Sequence, residues 1–140
     1  MKLNLEDLEN SIRSLVESIE SYDELAKKIQ LSEKNVNTLR SGVIQNFEVA
    51  YEQCGKFMKR WIENNVNPQI GIAMTRRELF RLSAENFLIN DYEKWMIFHE
   101  ARNITSYTYN KNSAEKSFEM AKEFIHLAKD FLAVLEKHND

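Results

Sequence analysis

Eight consecutive residues, Arg102-Asn103-Ile104-Thr105-Ser106-Tyr107-Thr108-Tyr109, concentrate polar chemistry near what reads as a helix end. They supply one guanidinium, one carboxamide, a run of hydroxyls and two phenol rings. A helix surface serving solubility alone would carry Glu, Lys and Ala. Here β-branched Ile104, Thr105 and Thr108 beside Ser106 weaken helix propensity. Local rules broken in this way mark functional or interface sites. The composition by itself leaves two readings open, a polar helix end and a site.

Other constellations are less pointed. Glu48, Glu52 and Lys56 follow one another at spacings of four on a long apolar-striped segment. They read either as an exposed charge ladder with Glu52 N-terminal to Lys56, or as orienting carboxylates, Glu48 or Glu52 holding a cation on a facing helix. Arg76, Arg77 and Arg81 form a small basic cluster, either a surface charge group or a phosphate contact. Cys54 lies on an apolar helix face and reads as a buried structural thiol. His99, His126 and His138 show no metal-ligand spacing, so no metal site is expected. His99 stands one turn before Arg102, beside Trp95 and Phe98, and reads as a packing residue, with acid–base service beside Arg102 as the weaker reading. No Gly-rich phosphate loop and no Ser-His-Asp pattern is visible, and no cofactor is expected.

The elements that must position these residues are helical. Leu5, Leu8, Ile12, Leu15 and Ile19 alternate steps of three and four, predicting a first helix over residues 5–21. Residues 22–31 either extend it or form a short second helix. Ser32 is an N-cap candidate with Glu33 just inside. The helix it starts runs to about Asn64, with Val36, Leu39, Val43, Phe47, Ala50, Tyr51, Cys54, Phe57, Met58, Trp61 and Ile62 as its apolar face. Gly42 and Gly55 inside it each cost ~1 kcal/mol against Ala, which predicts close approach of another helix. Residues 64–68, ending in the single Pro68, break the run. Thr75-Arg76-Arg77-Glu78 reads as a capping box opening a short helix to about Asn86. Asn90-Asp91-Tyr92-Glu93 opens the next, carrying Trp95, Met96, Phe98 and Ala101. Asn110 to Ser113 reads as a turn. Ser113 then caps a last helix to Lys137, with Phe118, Ala121, Ile125, Ala128, Leu132 and Leu135 as its core line. The fold class is therefore all-α, an antiparallel bundle of four to five helices in a single domain over residues 1–140.

Bulk properties agree. The chain of 140 residues is long enough for a core without staples. Three Gly and one Pro mean few chain breakers, and 43% hydrophobic with 29% charged residues is ordinary for a folded protein. A formal charge of -3 gives no general attraction to nucleic acid or anionic membrane, so any such contact needs a local cationic patch. One cysteine precludes an internal disulfide and suits a reducing cytoplasm. The first ten residues carry acids and no apolar core, unlike a signal peptide. No apolar run approaches the ~20 residues of a membrane span.

A family resemblance follows from particular segments. Val43-Ile44-Gln45-Asn46-Phe47-Glu48, Tyr51-Glu52 and Lys56-Phe57-Met58-Lys59-Arg60 resemble the long second helix of the nucleotidyltransferase substrate-binding proteins, the HepT-like branch of the HEPN domains. Thr75-Arg76-Arg77-Glu78-Leu79, Leu88-Ile89-Asn90-Asp91 and Trp95 follow in the family's order. Residues 102–109 then fall where the family carries an R-N-x-x-S-H-x-Y motif. The resemblance spans about residues 5–135. It implies a HEPN-like helical bundle that forms homodimers with the motifs facing each other. It also implies a gene pair with a minimal nucleotidyltransferase antitoxin, in which active members are metal-independent ribonucleases using the motif Arg and His. The partner can silence such a member by transferring AMP to the motif Tyr. By position, Arg102 is the phosphate-binding arginine, Asn103 and Ser106 are motif support, and Tyr109 is the AMP acceptor.

The sequence departs from that motif at one place, where Tyr107 stands at the position of the family's His. A ribonuclease of this type removes a proton from a ribose 2′-OH and returns one to the leaving oxygen. An imidazole with pKa ~6.5 does both near neutrality, whereas a phenol with pKa ~10 is ionised to about one part in a thousand at pH 7. General acid–base catalysis is worth ~10²–10⁴-fold, so the resemblance predicts an impaired nuclease. Arg102 still offers charge-assisted bonds to phosphate and Tyr107 a stacking surface for a base. The alternative is a dimeric helical adapter that binds a nucleotidyltransferase and has no nucleotide chemistry of its own.

Overall fold

A computed structural model describes residues 2–70, 74–107 and 111–139, with residues 104–107 and 111 described by their backbone alone. The described residues form five helices: α1 (Glu6–Lys28), α2 (Glu33–Asn65), α3 (Arg76–Glu85), α4 (Tyr92–Tyr107) and α5 (Lys111–Lys137). The described residues contain no strand.

The predicted starts hold where a side chain caps a backbone donor. Ser32 Oγ accepts from Asn35 N at 3.2 Å, and Thr75 Oγ1 accepts from Glu78 N at 3.2 Å. Asp91 Oδ1 accepts from Glu93 N at 3.0 Å and opens α4. Of the two readings for residues 22–31, extension holds as far as Lys28, since residues 22–28 belong to α1, which runs about six turns without a break. One boundary differs. Residues 111–113 are helical rather than turn, because α5 is already under way at Lys111 and Ser113 lies inside it. Asn110 lies outside the described residues.

The end contacts give the helix directions. Leu3 N donates to Asn139 Oδ1 at 2.7 Å and Asn139 Nδ2 donates to Leu3 O at 2.8 Å, tying the start of α1 to the end of α5. Trp61 Nε1 donates to His138 O at 3.1 Å, so α2 and α5 end on the same side. Thus α1 runs antiparallel to both, and α3 and α4 close the remaining flank against α2 and α5. One core of buried apolar residues joins all five helices.

Aromatic rings dominate that core. Phe124 on α5 lies 5.2 Å from Phe47, 5.5 Å from Trp95 and 5.4 Å from Phe98, centroid to centroid. Such tilted and edge-on pairs add ~0.5–1.5 kcal/mol beyond area burial. This corrects the predicted core line of α5. Phe118, Ala121, Phe124, Ala128, Phe131 and Leu135 are buried, while Ile125 and Leu132 are only partly so. Both lines satisfy a helical period, and the aromatic cluster selects the one that brings Phe124 and Phe131 inward. The expectation for the two glycines is also corrected. A Cβ at Gly42 would meet nothing within 4 Å, while a Cβ at Gly55 would meet the Arg76 side chain, so α3 approaches there through a side chain and not through its backbone.

Candidate functional site

The seam between α2 and α4, where α3 begins, gathers the polar groups that the core excludes. Tyr51 and Glu52 are neighbours on α2, so their side chains point about 100° apart around the helix. Tyr51 turns into the core and Glu52 to its rim. On α4, His99, Arg102 and Asn103 are spaced three and four apart and share one face. Arg76 is the first residue of α3, delivered there by the Thr75 cap.

Glu52 joins the two arginines. Its Oε2 accepts from Arg76 Nη2 at 2.9 Å and its Oε1 pairs with Arg102 Nη2 at 3.2 Å. The three side chains are 34%, 29% and 32% exposed respectively, so the carboxylate is bracketed but reachable from solvent. The Arg76 guanidinium also lies 5.4 Å from the Tyr51 ring centroid, over its face. Its position depends on Gly55, since a Cβ there would run into the guanidinium.

His99 continues the network. Its Nδ1 lies 2.6 Å from Tyr51 Oη and its Nε2 lies 3.3 Å from Asn103 Nδ2. Asn103 Oδ1 accepts from Arg102 Nη1 at 3.4 Å, so the Asn103 amide turns its N–H toward Nε2. A neutral imidazole then carries its proton on Nδ1 and donates to Tyr51 Oη. Burial, then the Arg76 and Arg102 charges, hold the His99 pKa below its ordinary value, partly opposed by Glu52 and Glu100. Burial likewise pushes the Tyr51 phenol well above its ordinary range. Both groups are therefore neutral near pH 7. With both ring nitrogens engaged, His99 orients Asn103 and through it Arg102.

The structure thus brings Glu52, Arg102 and Asn103 together and adds three residues not among the expected site residues: Tyr51, which the sequence placed in the core, His99, which it read as packing, and Arg76, which it read as a surface charge or a phosphate contact. For His99 a signal existed, since it shares a helical face with Arg102 and Asn103. For Arg76 the signal was only its place in a basic cluster, because its reach to Glu52 depends on how α3 docks. Arg77 and Arg81 point elsewhere, Arg77 to Glu93 at 3.4 Å and Arg81 over the Tyr92 ring at 5.3 Å. Glu48 is half-buried and makes no ion pair among the described residues. Ser106 and Tyr107 are in the last turn of α4, described by backbone alone, and Tyr109 lies outside the described residues. Cys54 is fully buried, and burial pushes its thiol pKa up, which removes it as a nucleophile.

The described residues thus form a helical bundle with two arginines paired to one carboxylate at an inter-helix seam. The chain belongs to the family described as nucleotidyltransferase substrate binding protein like, whose profile matches residues 3–137. It is 29% identical over 148 residues to a probable ribonuclease HepT of Haemophilus influenzae, covering 99% of this chain and 95% of that one. A solved structure from Haemophilus influenzae, described as the fold of a substrate-binding domain of a nucleotidyltransferase, superposes with a TM-score of 0.86 at 27% identity. That match covers 95% of this chain and 99% of the other. The HepT-like resemblance and the all-α bundle expected from sequence both stand on these findings. No helix among the described residues is long and apolar enough to cross a membrane.

Proposed function

We propose that this chain is the HepT-like subunit of a two-gene toxin–antitoxin system. In this reading it acts as a cytoplasmic homodimer directed at RNA, its ribonuclease activity is impaired by Tyr107, and Tyr109 accepts AMP from a minimal nucleotidyltransferase partner. The observation that carries the reading is the Glu52–Arg102 ion pair at 3.2 Å, which fixes the motif arginine at a solvent-reachable seam on the helix that leads to Tyr107. A guanidinium so placed contributes charge-assisted hydrogen bonds to a phosphodiester. Family membership and the resemblance to a probable ribonuclease HepT support RNA as the target.

The chemistry separates into two steps. Cleavage by the ribose 2′-OH needs a proton removed from it as its oxygen attacks phosphorus, and a proton returned to the departing 5′-oxygen, which leaves a 2′,3′-cyclic phosphate and a 5′-OH. A phenol at residue 107 is mismatched to the first task at neutral pH. AMP transfer needs less of this chain. The Tyr109 oxygen attacks the α-phosphorus of ATP, pyrophosphate leaves, and the phenol proton passes to solvent or to a base of the partner.

Two measurements test the reading. RNA cleavage by the wild-type chain is compared with that of Tyr107→His, with a gain of ~10²-fold or more expected for the variant. Equal and robust cleavage by both would show that Tyr107 does not disable the site. Incubation with the partner nucleotidyltransferase and ATP, followed by intact-mass measurement, is expected to show added AMP that disappears in Tyr109→Phe. Absence of both activities would leave the adapter reading.

A further inference from the structure

We propose that Arg76 and Arg102 together form a two-guanidinium site for the oxygens of a phosphate ester, and that Glu52 occupies this site as an internal competitor. The inference shares Arg102 with the reading above and rests on it there. The assignment of Arg76, and of Glu52 as the displaceable occupant, is additional.

Geometry carries the argument. Each oxygen of the Glu52 carboxylate serves a different guanidinium, at 2.9 Å and 3.2 Å. A phosphate diester offers a comparable pair of non-bridging oxygens, and a monoester offers a third oxygen and a second charge besides, so either can take the place of the carboxylate between the arginines. A structural ion pair needs one cation for one carboxylate. Here one carboxylate meets two cations, and both guanidiniums are partly open to solvent. The Arg76 fork is pre-set by its stacking on Tyr51 and by the missing side chain at Gly55, which lowers the entropy cost of binding.

The surroundings fit an anion. A cavity of about 290 Å³ opens beside Arg76, lined by Glu52, Gly55, Lys56, Lys59 and Thr75 among others. Its formal charges are three cations, Lys56, Lys59 and Arg76, against the single Glu52 carboxylate. The shared chemistry is a phosphate mono- or diester, whose source is either an RNA backbone or a free nucleotide.

The test uses the full-length chain and two probes, a fluorescein-labelled single-stranded RNA read by anisotropy and AMP read by calorimetry. Arg76→Ala and Arg102→Ala are each expected to weaken binding on the order of tenfold. Gly55→Ala removes no charge and improves helix propensity, yet it is expected to weaken binding by displacing the Arg76 guanidinium. Glu52→Gln is expected to tighten binding severalfold, because the competitor loses its charge and keeps an acceptor. Circular dichroism establishes that each variant is folded. If Arg76→Ala and Gly55→Ala bind like wild type while Arg102→Ala loses affinity, the Arg76 assignment is overturned and the RNA reading stands. If Arg76-dependent binding is found for AMP but no RNA binds, the site stands and the RNA reading falls. Weaker binding by folded Glu52→Gln would make Glu52 a strut for the arginines and overturn its role as competitor.

Discussion

Glu52 on α2 and Arg102 on α4 are joined by an ion pair of 3.2 Å, and the second oxygen of the same carboxylate holds Arg76 on α3 at 2.9 Å. One side chain therefore ties three helices at the rim of the core. Exposed pairs contribute little to stability, ~0–1 kcal/mol, so the consequence of this arrangement is positional. Glu52→Ala is expected to lower the melting temperature by only a few degrees. It should release the Arg102 side chain, seen as broadened or shifted Nε resonances in the variant. Unchanged Arg102 resonances would show that other contacts hold the guanidinium.

The His99 imidazole supplies a pH prediction. Its folded-state pKa lies below the unfolded value of ~6.5, so the unfolded chain binds the proton first as pH falls. The stability associated with this group is fully present above pH ~6.5 and is lost as pH falls through the folded pKa. Arg76→Ala and Arg102→Ala remove cations that depress the value, so each should raise the His99 midpoint. Glu52→Gln removes an opposing charge and should lower it. Nuclear magnetic resonance titration of the ring protons reads all three signs, and a downward shift in Arg102→Ala would contradict the placement.

Phe124 is the ring on which the core turns. It is fully buried and meets Phe47, Tyr51, Trp95 and Phe98 from two neighbouring helices. Phe124→Ala should cost ~3–5 kcal/mol by denaturant unfolding. Leu132→Ala, on the partly buried flank of the same helix, should cost clearly less. Equal costs would place the core line of α5 where the sequence had suggested.

Phe87 closes α3 with φ 63°, in the left-handed region, and its side chain is 83% exposed. Leu88 N donates to Ser83 O at 2.9 Å across this turn, the pattern in which glycine is preferred. A left-handed conformation costs an L-residue ~1–2 kcal/mol and the exposed ring recovers little of it. Phe87→Gly is therefore expected to raise the melting temperature slightly, and a marked fall would show that the ring packs on something.

Gly42 offers a control for Gly55. It is exposed on α2 with open space where a Cβ would stand. Gly42→Ala should stabilise the chain by about 1 kcal/mol through helix propensity alone. Thermal unfolding of the two alanine variants separates propensity from displacement of Arg76.

The sequence by itself determined the helices, most of their starts and the family. Caps such as Ser32, Thr75 and Asp91 act over three residues, and apolar stripes act over one helix, so both are legible in a linear string. The segment from Arg102 stood out for the same reason, its polar content being local. What lay beyond reading was decided between helices. Two apolar lines were equally periodic on α5, and only the aromatic cluster chose the one containing Phe124 and Phe131. His99 resembled a packing residue until Tyr51 and Asn103 were placed at its two nitrogens. The Glu48, Glu52 and Lys56 ladder became a single bridging carboxylate because α3 and α4 deliver Arg76 and Arg102 to Glu52 and, among the described residues, no cation to Glu48. Periodicity states which face of a helix is buried, but not which neighbour it meets. The site is made of such meetings, and so only the tertiary structure assembled it.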